Sequence, residues 1–569
     1  MTELTTQYRD FLQKWMSRLR KESHKMPGIK GLFKRAELQI FVVYMGAHLP
    51  IFLLSDARYW DDWSLSGASK EMLVSVFTQA GFPLLGYYHY AVQLIGWWFY
   101  AFSTFALGYL IIHVFYLILK SFNFSKSDAT ALSFLVAALP VNYARIAAIN
   151  NPGLFFLLIF VFALYILVTS VTNKNIYTEY LSYALFIFSF QFNALIPFFL
   201  LVFFIAAFLF YKKSDPLTDP IQNKNHWNKI KYIIKRAAAI MLLPFLYAAI
   251  QHFLFKKSGM FSAQYNIIDI NFGAVISEIK VIALYLFPYD GIYIGKPVAF
   301  TIFLAALLVV YLIRSNPAAS GTKAECNGKR LISIGVVLLV LGASAYVLVG
   351  KEPSYEPWMA TRFQVLLPFG AAFSTLGLLK IIWAVFPAKD PDIRHRMKVA
   401  SFAGLIAVFI VNWWFVYATF YVDHLRQEAF ADTIRNTPSL QSRNYVILDR
   451  SGLNAFDTMP GLGEYAGLHE AATGKRDALI LDYDSMTAYG GWSGFVGNFK
   501  RFLGAWSKVE DAPFDVPGCL YIINRRPDVQ SKWSYAASAF IVKIADPEHY
   551  TARHLLSFDG PYCQSPRQM

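Results

Sequence analysis

Ten apolar runs, most long enough to cross a bilayer, dominate this 569-residue chain and leave few folds open to it. A spanning helix needs about 20 mainly apolar residues, or as few as about 17. The runs are Leu38–Leu54, Ala91–Leu119, Ala129–Ile149, Leu154–Val171, Leu181–Tyr211, Ala237–Phe255, Val298–Ile313, Leu331–Val349, Phe363–Phe386 and Val399–Tyr421. Leu181–Tyr211 is too long for one helix, and "QFNALIP" (Gln191 to Pro197) interrupts it, so it reads as two short helices. The expectation is a polytopic α-helical membrane protein of about 11 transmembrane helices. A composition 56% hydrophobic and only 16% charged agrees with that class and excludes an ordinary soluble protein.

The formal charge of +15 could suggest nucleic acid, but its distribution does not. Basic residues gather in short loops between apolar runs, where they set topology. With the N-terminus in the cytoplasm, inner loops hold Lys120, Lys126, Lys212, Lys213, Arg314, Lys329, Arg330 and Arg394 among others. The outer loops have fewer, including Arg58, Arg145, Lys257, Lys351 and Arg362. Every inner loop satisfies the positive-inside rule only if the long run is split. Residues 1–37 then form a basic cytoplasmic N-terminus, 38–421 the membrane domain, and 422–569 an outward domain. Nucleic-acid binding is not expected.

Beyond Tyr421 the composition becomes that of a soluble protein. The stretches "NYVILDR", "DALILDY", "CLYIINRR" and "AFIVKIA" read as short buried strands of a small α/β domain. Cys519 and Cys563 lie there, and whether they form a disulfide is open on sequence.

The outer loop after the first run opens with "DARYWDDWSL" (Asp56 to Leu65) and continues through "KEMLVSVFTQAG", an amphipathic surface helix by its pattern. Adjacent Asp61 and Asp62 repel, so drawing both into a partly buried site requires a proton or a cation. The bland reading makes them solvated charges in an aromatic belt with Tyr59, Trp60 and Trp63. The other makes them an active-site pair.

This layout resembles the GT-C superfamily of integral membrane glycosyltransferases, with "YWDDW" as the matching motif. It shares one span, a long outer loop headed by an acidic pair, a surface helix, further broken spans and an outer soluble domain. The resemblance implies a polyprenyl-phosphate-linked sugar donor, a glycan or lipid acceptor such as O-antigen, and inverting transfer in a bacterial inner membrane. It makes Asp61 or Asp62 the catalytic base, which must reach the acceptor hydroxyl. If a divalent cation is used, the same pair could ligate Mg or Mn through oxygen. The leaving phosphate then needs fixed cations, and Arg145 and Arg362 lead, each otherwise an interfacial anchor. Arg58, His89 and Lys296 are weaker candidates. Asp290 in "FPYDGIYIGK" could be a second acidic group but reads equally as a turn. Glu352 and Glu356 read as solvated, and Asp482 and Asp484 of "LDYDSM" as strand-end turn formers.

The principal alternatives are a transporter or flippase of lipid-linked saccharide, a polysaccharide polymerase or ligase, and a membrane scaffold. A transporter would place ionisable groups mid-span. Here they cluster at span ends, which favours an enzyme.

Overall fold

A computed structural model describes residues 36–173, 175–213, 226–261, 296–315, 326–351, 359–385, 390–441, 445–451, 464–474, 480–483, 519–525 and 556–563, with isolated positions at 273, 276 and 280. The first half of the membrane region comprises α1 (Ala36–His48), α2 (Asp62–Leu65), α3 (Lys70–Gln79), α4 (Pro83–Ile95), α5 (Phe99–Ser121), α6 (Lys126–Ala138), α7 (Asn151–Asn173) and α8 (Ile176–Ser189). The second half adds α9 (Leu195–Lys213), α10 (His226–Leu254), α11 (Lys296–Ser315), α12 (Gly328–Val347), α13 (Leu367–Val385) and α14 (Pro391–Asn436).

Six helical stretches among the described residues are long and apolar enough to cross a membrane: Ala36–Leu54, Phe99–Ser121, Ala148–Asn173, Gly328–Val347, Leu367–Val385 and Asp392–Asn436. Shorter apolar helices occupy Leu195–Phe210, Ala238–Leu254 and Ile302–Tyr311. The long run divides between α8 and α9 at the expected break. Two expected spans differ. Gly96, at φ +132°, separates α4 from α5, so Ala91–Leu119 is not one helix. The run Ala129–Ile149 leaves helical geometry after Ala138 and turns through short 3-10 segments at Tyr143–Ile146 and Ala148–Asn150. Apolar content alone does not reveal such breaks, because buried turns are apolar too.

α12 and α13 pack on small residues. A methyl group at Gly335 would lie 2.6 Å from the Ser374 nitrogen, and one at Gly377 2.7 Å from the Gly328 carbonyl. Without side chains there, the backbones approach closely. That contact fixes both roots of the segment joining the two helices, which carries Lys351 and the 3-10 turn Met359–Gln364.

The helix ends sort into two groups by their contacts. At one end Lys380 pairs with Asp128 at 2.5 Å, and the Cys326 N–H donates to the same carboxylate. At the other end meet the loop after α1, the 3-10 turns at 143–150, the turn at 359–364 and the distal part of α14. The 46 residues of α14 reach about 69 Å at 1.5 Å per residue. A bilayer core is about 30 Å thick, so the helix runs on beyond it. It crosses the compositional boundary at 421/422 unbroken.

The C-terminal part contains β1 (Tyr445–Asp449), α15 (Glu464–Thr473), β2 (Ile480–Asp482), β3 (Cys519–Arg525) and β4 (Leu556–Cys563). Strand order is β2-β1-β3-β4, with β1 parallel to β2 and β3, and β4 antiparallel to β3. Three expected strands match; "AFIVKIA" and Asp484 lie outside the described residues, and β4 was not expected. The register sets Cys519 opposite Cys563, a cross-strand placement within disulfide reach.

α15 seats on the loop after α1 through a glycine. A methyl at Gly467 would lie 2.7 Å from Trp63 Cε3 and 2.8 Å from its Cβ. Gly467→Ala is therefore expected to cost about 1–3 kcal/mol by overpacking, read as a lower melting temperature and faster proteolysis near α15.

Candidate active site

The acidic pair divides into two different groups. α2 begins at Asp62, and Asp61 is its N-cap residue, so the two side chains leave the turn in different directions. Asp62 is buried, and its carboxylate accepts three backbone N–H bonds. Oδ2 takes Tyr59 at 3.1 Å and Ala148 at 2.9 Å, while Oδ1 takes Ile149 at 2.8 Å. Asp62 thus clamps the loop after α1 to the turn that starts α7. Burial pushes its carboxyl up to about 7, against the downward pull of the three N–H donors.

Asp61 is partly exposed, and its carboxylate accepts no hydrogen bond from any described residue. Burial raises its pKa, and the positive charge of Arg362 opposes that rise. The residue before it, Trp60, has φ +53°, a left-handed conformation that a bulky side chain rarely adopts. Strain of this kind persists where surroundings enforce it, and it concentrates at functional sites. Here the enforcement is visible. Tyr59 Oη donates to the Phe420 carbonyl at 2.7 Å, and Gln427 donates to the Arg58 carbonyl at 3.0 Å.

Arg362 and Arg145 sit on adjoining 3-10 turns. The Ala144 N–H donates to Thr361 Oγ1 at 2.8 Å, and Asn142 N–H to Gln364 Oε1 at 3.3 Å. Arg145 lies 4.0 Å from the centre of the Trp413 ring. Its Nη2 is 2.7 Å from His48 Nδ1. His48 Nε2 lies 2.9 Å from the Ala137 carbonyl, which fixes the proton on Nε2 and leaves Nδ1 to accept from Arg145. The guanidinium accordingly rests on a neutral ring, pairs with no carboxylate among the described residues, and has a buried Nε with no partner. A cation so placed, stacked and without a counter-charge, suits an incoming anion.

The weaker candidates are placed elsewhere. Arg58 donates to Ser66 at 2.8 Å and stacks over Trp63 and Trp97, at 5.4 and 4.9 Å, bracing the loop. His89 is buried, 2.9 Å from Tyr100 Oη and stacked on Phe77. Burial pushes it down to about 3, so it supplies packing and no cation. Asp290, Glu352, Glu356 and the side chain of Lys296 lie outside the described residues.

Asp62 has little capacity left for a divalent ion. Three of the lone pairs on Asp62 already face N–H donors, and no group of three or more His, Cys, Asp or Glu side chains that could hold a metal occurs among the described residues. Sequence reasoning missed His48 and Trp413. The signal for His48 was available: a lone imidazole in an apolar span is a functional candidate by default.

No protein-family model matches this chain, and neither does any curated protein.

Proposed function

We propose that this membrane-embedded protein is a glycosyltransferase, moving a sugar from a polyprenyl-phosphate donor to a glycan or lipid acceptor with inversion. The reading rests chiefly on Asp61: a partly exposed carboxylate that no described residue bonds and that feels the positive charge of Arg362, held on a loop that Asp62 clamps in place. In this scheme Asp61 takes the proton from the acceptor hydroxyl. The acceptor oxygen then bonds to the sugar C1 as the C1–O bond to phosphate breaks. The bonding pair leaves with polyprenyl phosphate, whose added negative charge Arg362 and Arg145 offset. Inversion follows from attack opposite the leaving group. The reaction side is read as the periplasmic face of a bacterial inner membrane, on the distribution of Lys and Arg between loops.

The test is release of polyprenyl phosphate from a panel of polyprenyl-phosphate hexoses and pentoses by purified protein in lipid nanodiscs, with envelope glycans as acceptors. Expected is acceptor-dependent release with one donor and a product of opposite anomeric configuration. Absence of release across the panel would remove the assignment.

A further inference from the structure

α6 ends at Ala138, and the chain then turns through residues 139–150, carrying Arg145. The last carbonyls of a helix have no intrahelical donor, and buried ones need another partner. Pro140, which has no N–H, follows directly and supplies none. Two rings from distant helices do. His48 Nε2, on α1, donates to the Ala137 carbonyl at 2.9 Å, and Trp413 Nε1, on α14, donates to the Leu139 carbonyl at 3.1 Å. Both rings are buried, and they meet edge to face with centres 4.6 Å apart. Tyr417 completes the group, its Oη 3.2 Å from His48 Nδ1 and its ring stacked on Trp413 at 5.5 Å.

Arg145 lies against both rings. Its Cζ is 4.0 Å from the centre of the Trp413 ring, and its Nη2 is 2.7 Å from His48 Nδ1 and 2.8 Å from Nε2. A second positive charge at that distance would repel the guanidinium, so a neutral imidazole is the form that fits. Neutral rings orient a guanidinium through stacking without cancelling its charge. We infer that His48 and Trp413 are positioning residues: they hold Arg145 as a fixed, uncompensated cation for the phosphoryl group of the lipid-linked donor. This inference rests on the transferase reading and adds to it the device that keeps the cation available. A carboxylate in the place of His48 would pair with the guanidinium and take the seat of the phosphate. The break in the run Ala129–Ile149 then has a use, because an unbroken helix would have bonded both carbonyls internally.

Binding of radiolabelled polyprenyl phosphate is measured on the full chain in phosphatidylcholine nanodiscs, with melting temperatures taken on the same samples. Wild type is expected to bind, and Arg145→Gln to bind about ten-fold more weakly or worse. His48→Glu sets a carboxylate against the guanidinium, so it should match that loss while melting no lower than His48→Gln. A purely structural role would instead make binding follow stability. Trp413→Leu should weaken binding in wild type and change nothing further in Arg145→Gln, because its effect runs through the guanidinium. Near-wild-type binding by His48→Glu, or an equal loss from Trp413→Leu in both backgrounds, would overturn the inference. So would unchanged binding by Arg145→Gln, which would leave the transferase reading standing on Arg362. A phosphoryl group could also come from a phospholipid headgroup. Phosphatidylglycerol at equal mole fraction is expected not to displace the label, and displacement would mean a general headgroup seat and overturn the inference. No binding by wild type would remove both readings. Should His48→Glu fail to fold, the Trp413→Leu comparison decides alone.

Discussion

Asp61→Asn is expected to lower transfer by roughly 10²–10⁴-fold, the range over which a positioned general base acts, while donor binding and melting temperature stay near wild type. The amide is nearly isosteric, and no hydrogen bond to a described residue is lost with the charge. Asp62→Asn should behave differently. Its new NH2 group would face backbone N–H donors from Tyr59, Ala148 or Ile149, leaving buried donors unpaired. Each unsatisfied group costs about 1–3 kcal/mol, so Asp62→Asn should melt earlier and lose activity through misplacement of the loop. The decisive measurements are single-turnover rates and melting curves on both variants. A fully active Asp61→Asn, paired with a stable but inactive Asp62→Asn, would transfer the base role to Asp62. Activity in both would remove the transferase assignment. The pH dependence has a definite sign: a carboxylate base works only when deprotonated, so turnover falls as pH drops. Because burial raises the Asp61 pKa, the acidic limb should lie above the ordinary carboxylate range.

The second large effect concerns Arg426, fully buried near the distal end of α14. Its Nε bonds Asp423 at 2.8 Å, Nη1 bonds Asp449 of β1 at 3.0 Å, and Nη2 bonds Glu464 of α15. One guanidinium thus joins the membrane helix, the sheet and the helix seated on Trp63. Arg426→Met would leave these carboxylates buried without their cation, a loss of about 3–5 kcal/mol by analogy with broken buried pairs. Limited proteolysis should then release fragments from the C-terminal part while α1, α5, α7 and α14 stay intact. Arg426→Lys should recover little, because an ammonium lacks the planar fork that reaches three partners. An unchanged proteolytic pattern in Arg426→Met would show that the sheet is attached by other contacts.

The same cluster predicts a pH response. Burial and the neighbouring carboxylates, opposed by Arg426, push Glu464 up to about 7 from an ordinary value of 4.5. A pKa raised on folding gives stability that is fully present below 4.5 and is lost as pH rises through about 7. Melting of the C-terminal part should therefore drop by a few °C between about pH 4.5 and 7.5 for a domain of this size, then level off. Glu464→Gln should flatten that drop.

Much of the framework is legible in the residue order. Apolar runs, the break at "QFNALIP", the helix at Lys70–Gln79 and three strands follow from local composition and period, because transfer of side chains out of water is nearly additive along the chain. Lone-helix breaks inside apolar runs do not follow, since Gly96 and the turns at 143–150 stay apolar while leaving helical geometry. Asp61, Arg145 and Arg362 can likewise be picked out by residue type at the ends of apolar runs.

Their roles are a different matter. Asp61 and Asp62 are neighbours of identical chemistry, and only the partners brought by Ala148 and Ile149 make one a clamp and leave the other open. Among the described residues Arg145 has no counter-charge, because the neighbour brought to it, from 97 residues away, is His48 and not a carboxylate. What the sequence by itself determined is a membrane-embedded bundle with acidic and basic groups at its helix ends. What only the tertiary structure decided is which charges are already satisfied, because hydrogen-bond partners are set by contacts between distant segments and not by local composition.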